Sequence, residues 1–129
     1  MKQKVRVAGM IRKADHFLVL KKRMGRIEEL PSWGLPASKI RFGEQPEEAM
    51  TRLIDEELSL SVLKMKLKDV ITFTEFVNSA KVYNLYIIYD IEIDKNSENK
   101  IELGEKYSAY KYLAFNEDFF ASMRFDEAS

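Results

Sequence analysis

The chain has 129 residues, 46% of them hydrophobic, which is enough for one core and too few for two domains of ordinary size. Its 21 basic and 21 acidic residues cancel, so no global field favours nucleic acid or an anionic membrane as a partner. Cysteine is absent and His16 is the single histidine, so a bound metal must use carboxylates. We expect residues 1–129 to form one domain.

The chain opens with two apolar runs, Lys4 to Ile11 and Phe17 to Lys21, joined by a short polar segment. This pattern predicts an antiparallel hairpin. The next stretch, Lys22 to Pro36, passes from charged residues to two prolines, a glycine and the single tryptophan, Trp33. Such a composition predicts a loop.

The segment from Gln45 to Leu60 changes to a helical pattern. Pro46 suits a first helical turn, and the acidic residues Glu47 and Glu48 complement the positive end of the helix dipole. Apolar residues recur every four positions, at Met50, Ile54 and Leu58. The segment is therefore predicted to be a helix with a buried stripe.

Three extended runs follow, Leu67 to Phe76, Ala80 to Ile93 and Tyr107 to Phe115, all rich in β-branched and aromatic residues. The second run is apolar on both alternating faces, which places it in the centre of a mixed sheet. A last short helix is predicted from Asn116, a residue that can cap it. The order of elements predicts an α/β (α+β) fold in which a mixed β-sheet lies between helices.

The predicted helix also carries the most informative polar residues. Glu56 and Glu57 are adjacent carboxylates on its last turns, and Glu44 lies just before its start. Three convergent carboxylates would form a hard oxygen site that suits Mg²⁺ or Mn²⁺ bridging to phosphate oxygens. The alternative is ordinary solvated surface, since Arg52 and Glu56 are an i, i+4 pair of the common stabilising kind.

This segment resembles the box of the Nudix hydrolase family. The family pattern is a glycine, a glutamate after five residues, and then, after seven residues, R-E-U-x-E-E-x-G-U with U apolar, and it corresponds to Ser38 through Leu60. Six of its nine specified positions agree, namely Glu44, Arg52, Ile54, Glu56, Glu57 and Leu60. The order of the other elements is also that of a Nudix fold, over nearly the whole chain.

The resemblance implies a hydrolase that uses Mg²⁺ or Mn²⁺ to cleave a diphosphate linkage in a nucleoside diphosphate derivative. Glu56 and Glu57 would then be metal ligands, Glu44 a direct or water-mediated ligand, and Arg52 the residue that orients the glutamates. A main-chain carbonyl of Ala37 or Ser38 often completes the coordination sphere in relatives. The side chain of Lys39 would either contact phosphate or be a solvated loop lysine.

Three positions depart from the box. Ser38 and Ser59 replace glycines, and a side chain restricts the backbone at both places. Leu53 replaces the first glutamate of R-E-U-x-E-E, which in relatives ligates metal or removes the proton from the attacking water. Leucine can do neither. Leu53 either simply widens the core stripe beside Met50, or its presence indicates a protein that binds a nucleotide without hydrolysing it.

A general base from outside the box would have to replace the missing glutamate. Glu75, Glu102 and Glu105 are the candidates, and Glu105 is preferred because relatives often place an additional acidic residue in that region. A base of this kind contributes about 10²- to 10⁴-fold to a rate. Without it the reaction would be slow, although metal and phosphate could still bind.

The expected partner is a small-molecule nucleotide, with neither nucleic acid nor membrane, and the resemblance also allows a homodimer. Strand aromatics could stack on the nucleobase or belong to the core, at Phe73, Phe76, Tyr83, Tyr86, Tyr107, Tyr110 and Tyr112. The chain shows neither a signal peptide nor an apolar run of about 18 residues, so we expect a cytoplasmic protein.

Overall fold

The structure is a computed structural model that describes residues 2–22, 33–96 and 100–114. These residues form a seven-stranded mixed sheet and one helix that packs on one of its faces. The elements are β1 (Lys2–Lys13), β2 (His16–Lys22), β3 (Trp33–Gly34), β4 (Ala37–Lys39), α1 (Pro46–Leu58), β5 (Val62–Val77), β6 (Ala80–Ile93) and β7 (Tyr107–Ala114). The predicted mixed α+β fold is confirmed.

The sheet is organised around β6, which pairs in parallel with β1 and antiparallel with β5. On the other side of β1 lie β2 and β4, and β2 pairs in turn with β3 and β7. Side chains alternate between the two faces of each strand. The prediction that β6 is an internal strand of a mixed sheet is confirmed, because its neighbours run in opposite directions.

The predicted elements differ most from the structure at β5 and β3. Strand β5 begins at Val62 instead of Leu67, because Lys64, Lys66 and Lys68 give its first half a charged composition that conceals the extended backbone. Trp33 and Gly34, predicted as loop, form β3 and pair with β2. The rest of that loop, residues 23–32, and the helix predicted from Asn116 lie outside the described residues.

Helix α1 starts as predicted, with Pro46 in its first turn. The backbone N–H of Gln45 donates to the Glu48 carboxylate at 3.1 Å, which satisfies one of the groups left open at a helix start. One side of the helix is buried against the sheet through Ala49, Met50, Leu53, Ile54 and Leu58. The described ranges contain no helix with the length and apolar character needed to cross a bilayer.

The helix packs on the face of the sheet that carries Val7, Ile11 and Ile91, which we call the helix face. The opposite face, here the far face, has its own core residues at Ala8, Tyr86 and Ile88.

Helix α1 ends at Leu58, and the next residue, Ser59, adopts the left-handed conformation with φ 56° and ψ 39°. The Ser59 N–H donates to the Asp55 carbonyl at 3.1 Å, so this residue closes the last turn. A residue with a Cβ is strained in this conformation by about 1–2 kcal/mol. Serine thus occupies a position where glycine is the unstrained choice.

We predict that Ser59→Gly raises the free energy of unfolding by about 0.5–1 kcal/mol, because relief of strain outweighs the greater entropy of the unfolded chain. Urea unfolding measures the difference. Ser61→Gly is the matched control, since Ser61 is also exposed but does not have a positive φ, and it should be neutral or destabilising. Equal destabilisation by both substitutions would contradict the strain at Ser59.

Candidate functional site

The centre of the site is an ion pair between Arg52 on α1 and Glu44 in the segment before it. The Arg52 Nε donates to Glu44 Oε2 at 2.7 Å, and Nη2 donates to Glu44 Oε1 at 3.1 Å. The same Nη2 also donates to the main-chain carbonyl of Lys39 at 3.0 Å. A single guanidinium therefore joins the helix to both ends of the segment between β4 and α1.

Glu44 is held firmly in its charged form. Its hydrogen bonds from Arg52, followed by the one from the Arg41 backbone N–H at 2.8 Å, lower the pKa of its carboxyl from 4.5 to about 2. The same pair raises the pKa of Arg52. Both oxygens of Glu44 are occupied in this geometry, so this carboxylate acts first as an anchor for Arg52.

Glu56 lies one helical turn beyond Arg52 and is more loosely held. Its Oε2 is 3.8 Å from Arg52 Nη1 and 3.5 Å from Arg41 Nη2. Its side chain is 45% exposed, compared with 18% for Glu44. Such long contacts in water contribute little energy, so the Glu56 carboxylate can take another partner at small cost.

Glu57 is the most distinctive carboxylate of the site, because its Oε2 is buried and accepts no hydrogen bond within the described part of the chain. The main chain at Gly104 lies directly against it: a Cβ at Gly104 would be 2.5 Å from Glu57 Oε2. The Gly104 N–H donates to the Glu57 carbonyl at 2.9 Å, and the Glu102 N–H donates to the Leu58 carbonyl at 3.1 Å. Residues 102–104 thus cap the end of α1 and cover one side of the Glu57 carboxylate.

The three predicted metal ligands are not gathered at one point. Across residues 2–22, 33–96 and 100–114, no group of three acidic or histidine side chains is close enough to hold a metal ion. Arg52 holds Glu44, whereas Glu56 and Glu57 lie on the last turn of α1. That turn has no basic residue, and it is the negative end of the helix dipole.

The residues nevertheless fit a hard divalent cation. Mg²⁺ is commonly bound through one or two carboxylates, with water and substrate phosphate supplying its other ligands. The Oε2 of Glu57, without a hydrogen-bond donor in residues 2–22, 33–96 and 100–114, provides a buried anionic ligand, and the negative potential at the end of the helix favours a cation there. Glu57 would be the principal ligand and Glu56 the second.

Strand β4 presents the other predicted site residues. The Ser38 side chain is buried, and its hydroxyl donates to the Lys39 carbonyl at 3.1 Å. The Ala37 carbonyl accepts a hydrogen bond from the Tyr107 hydroxyl at 3.4 Å, and Tyr107 is itself a core residue. The Lys39 side chain is exposed. A cation or phosphate at β4 would thus meet carbonyls that already take part in hydrogen bonds.

Leu53 and the candidate general bases lie in different parts of the structure. Leu53 is fully buried in the core beside Ala49 and Met50, as expected if it widens the core stripe. Glu105 is exposed in the turn directly after Gly104, the residue that contacts Glu57. Glu75 lies on the far face, where it accepts a hydrogen bond from Asn84 at 3.3 Å.

Two contributors to the site were not identified from the sequence. Arg41 contacts Glu44 through its backbone and Glu56 through its side chain, and the only signal in the sequence was a basic residue shortly before the box glutamate. Gly104 brings its main chain against Glu57, and a Cβ at this position would displace the Glu57 carboxylate. A glycine in a polar loop is too common for sequence reasoning to assign it that role.

Comparison with known families gives a match to the NUDIX domain over residues 2–126. The chain belongs to the Nudix family. This match covers β1 through β7, including the box on α1. No curated protein compared with the chain matches it.

Solved structures show the same Nudix fold. A MutT Nudix hydrolase from Burkholderia pseudomallei is 22% identical, with a TM-score of 0.73 over 88% of this chain and 84% of its own. A Nudix hydrolase from Nitrosomonas europaea is 20% identical, with a TM-score of 0.69 over 95% and 78%. The Nudix domain of Shewanella oneidensis NrtR, complexed with ADP ribose, is 13% identical, with a TM-score of 0.69 over 97% and 80%.

We predict that the Arg52–Glu44 pair contributes stability that disappears in acid. The Glu44 carboxyl protonates near pH 4.5 in the unfolded chain and near pH 2 in the folded one, so unfolding takes up a proton between these values. The stabilisation is therefore complete above about pH 5 and is lost as the pH falls towards 2.

Urea unfolding of the wild type and Glu44→Gln across this range measures the contribution. The variant should be less stable at neutral pH, and the difference should shrink in acid as the wild type loses its own ion pair. Asp55→Asn, on the exposed side of the same helix, should follow the wild type at every pH. A deficit in Glu44→Gln that is independent of pH would contradict the ion pair as its origin.

Proposed function

We propose that this Nudix protein is a hydrolase that cleaves a diphosphate linkage in a nucleoside diphosphate derivative, with Mg²⁺ or Mn²⁺ as cofactor. The observation that carries the proposal is the buried Oε2 of Glu57 at the negative end of α1, which accepts no hydrogen bond from the residues that the structure describes. When bound, the cation would neutralise diphosphate charge and orient water for attack on phosphorus. Metal-site roles for Glu57 and Glu56 are part of this proposal.

The remaining site residues have supporting roles in the proposal. Arg52 and Glu44 hold the segment after β4 against α1, so that the Lys39 side chain stays beside the site and can contact phosphate. Strand β4 is held by its pairing with β1, and the main chain of Ser38 would contact the substrate. Glu105 follows the glycine that touches Glu57, and we assign to it the removal of a proton from the attacking water.

The most direct test of the proposal is the substitution Glu57→Gln, which removes the charge and preserves the shape of the side chain. We expect Mn²⁺ affinity to fall by about tenfold or more and hydrolysis by about 10²-fold or more, since a buried anionic ligand is lost. Isothermal titration with Mn²⁺ and product analysis on a panel of nucleoside diphosphate derivatives measure both quantities.

Asp55→Asn is the control, because it removes a carboxylate from the exposed side of the same helix. It should retain both Mn²⁺ binding and rate. Glu105→Gln should retain Mn²⁺ binding and lose rate, which separates the proposed base from the metal ligands. Unchanged binding and turnover in Glu57→Gln would overturn the proposed site, and folded wild-type protein without any product would overturn the hydrolase.

A second function is favoured by the burial of Leu53. Its position in the core leaves the box without the glutamate that could activate water, so the same site could bind a nucleotide without hydrolysing it. The Nudix domain of NrtR is complexed with ADP ribose, a ligand that contains a diphosphate. Thermal stabilisation by such a ligand with no product formed would support this binding module instead.

We also propose that a second copy of the chain covers the part of the helix face that α1 leaves open. Apolar side chains lie exposed there, at Val5, Leu67, Val70, Phe76 and Tyr83. Strand β5 pairs with β6 alone among the described strands, so its other edge can meet a symmetric copy. Phe76 is 74% exposed and is the most prominent member of this patch.

Phe76→Lys should weaken a homodimer by about tenfold or more, because it places a charge in an apolar contact. Size-exclusion chromatography with light scattering over a concentration series measures the change. Phe42→Lys is the matched control, since Phe42 is exposed but lies in the segment before α1. A monomeric wild type, or equal effects of the two substitutions, would contradict the interface.

A cytoplasmic location and a single domain over residues 1–129 stay predictions.

A further inference from the structure

Arg41 places a loosely held guanidinium beside the carboxylates of α1. Its Nη2 lies 3.5 Å from Glu56 Oε2, and its guanidinium makes no other ion pair with the residues that the structure describes. Arg52, in contrast, is bound to Glu44 at 2.7 Å and to the Lys39 carbonyl at 3.0 Å. The Arg41 side chain is 60% exposed, compared with 14% for Arg52. A long contact in water is weak, so the Arg41 guanidinium can exchange it for another partner.

The main chain of Arg41, unlike its side chain, is fixed. Its N–H donates to Glu44 Oε1 at 2.8 Å, and its carbonyl accepts from the Glu44 N–H at 3.0 Å. Gly43 adopts a positive φ of 86° within this segment, a conformation that suits glycine. Residues 41–44 thus form a closed turn, and Arg52 joins this turn to α1 through Glu44. The turn keeps Arg41 at the edge of the site whichever group its side chain contacts.

Glu56 connects Arg41 to the proposed metal site. Its Oε2 is 3.5 Å from Arg41 Nη2 and 3.8 Å from Arg52 Nη1. A divalent cation on this carboxylate would repel both guanidinium groups, because like charges a few ångströms apart raise the free energy. Arg52 would be retained by Glu44 and by the Lys39 carbonyl. Arg41 has no second acceptor for its side chain in the described ranges, so it is the group that would turn away.

We propose that Arg41 exchanges Glu56 for a phosphate group of the substrate when the cation binds, so that one arginine couples metal loading to diphosphate binding. This inference rests on the proposed function for the cation and the diphosphate. A guanidinium can donate two parallel hydrogen bonds to a phosphate, whereas Arg41 makes one long contact to Glu56. Position 41 lies among the five unspecified residues of the family box, so this assignment is particular to this chain.

Arg41→Gln tests the exchange, because its two expected effects have opposite signs. Loss of the guanidinium removes the competitor for Glu56, so Mn²⁺ alone should bind about two- to fivefold more tightly. In saturating Mn²⁺ the variant should bind methylenediphosphonate, a diphosphate mimic with a P–C–P bridge that resists hydrolysis, about tenfold more weakly. Isothermal titration measures both affinities. The turn should persist, since its hydrogen bonds use the main chain of residue 41, and thermal unfolding verifies the fold.

Three further variants isolate the cause. Arg41→Lys retains the charge without the planar fork, so its Mn²⁺ affinity should stay within about twofold of the wild type and its loss of mimic affinity should be about threefold. Arg12→Gln is the matched control, because it removes an arginine that pairs with Asp90 on the sheet, and it should change neither affinity. In a Glu56→Gln background, Arg41→Gln should no longer raise Mn²⁺ affinity.

Unchanged or weaker Mn²⁺ binding in Arg41→Gln, or unchanged affinity for the mimic, would overturn the exchange. Equal effects of Arg12→Gln and Arg41→Gln would also overturn it, since net charge would then be the cause. Failure of the wild type to bind Mn²⁺ would overturn it together with the proposed metal site. The two opposite shifts in a protein that forms no product would refute the hydrolase and leave the exchange standing. Product formation with unchanged affinities would do the reverse.

Discussion

The bidentate contact between Arg52 and Glu44 is the interaction on which the local structure of the box depends. It fixes the segment between β4 and α1 at both ends, because the same guanidinium also reaches the Lys39 carbonyl. It also occupies both oxygens of Glu44. The acidic residues of the box consequently divide into one that holds the backbone and two, Glu56 and Glu57, that remain available at the end of the helix.

The sequence was sufficient for most elements because their patterns arise from local physics. Pro46 and the spacing of Met50, Ile54 and Leu58 reflect helix geometry, and the apolar content of β6 reflects an internal strand. The start of β5 was missed because its lysine-rich first half lacks the apolar residues by which a strand is predicted, although its backbone pairs with β6. The site residues were predicted from the types and spacing of residues within the box. The contact of Gly104 with Glu57 joins segments that are distant in sequence, so this spacing could not predict it.

Leu53 connects the core to the chemistry. Because its side chain is enclosed by the residues that attach α1 to the sheet, restoring a glutamate there would bury a carboxylate in an apolar layer. Position 53 therefore contributes to core packing in this chain and carries no carboxylate. Under the proposed function the base is instead Glu105, which is exposed in a turn outside the core.

The parallel pairing of β1 with β6 has a consequence for how the domain assembles. Lys2 lies opposite Val82 and Arg12 opposite Glu92, so every pair in this ladder joins residues 80 positions apart. Closing so long a loop lowers the entropy of the chain before the contacts of the ladder can stabilise it, and this slows folding. During synthesis the first strand leaves the ribosome early and must wait, with its apolar residues uncovered, until most of the chain has been made.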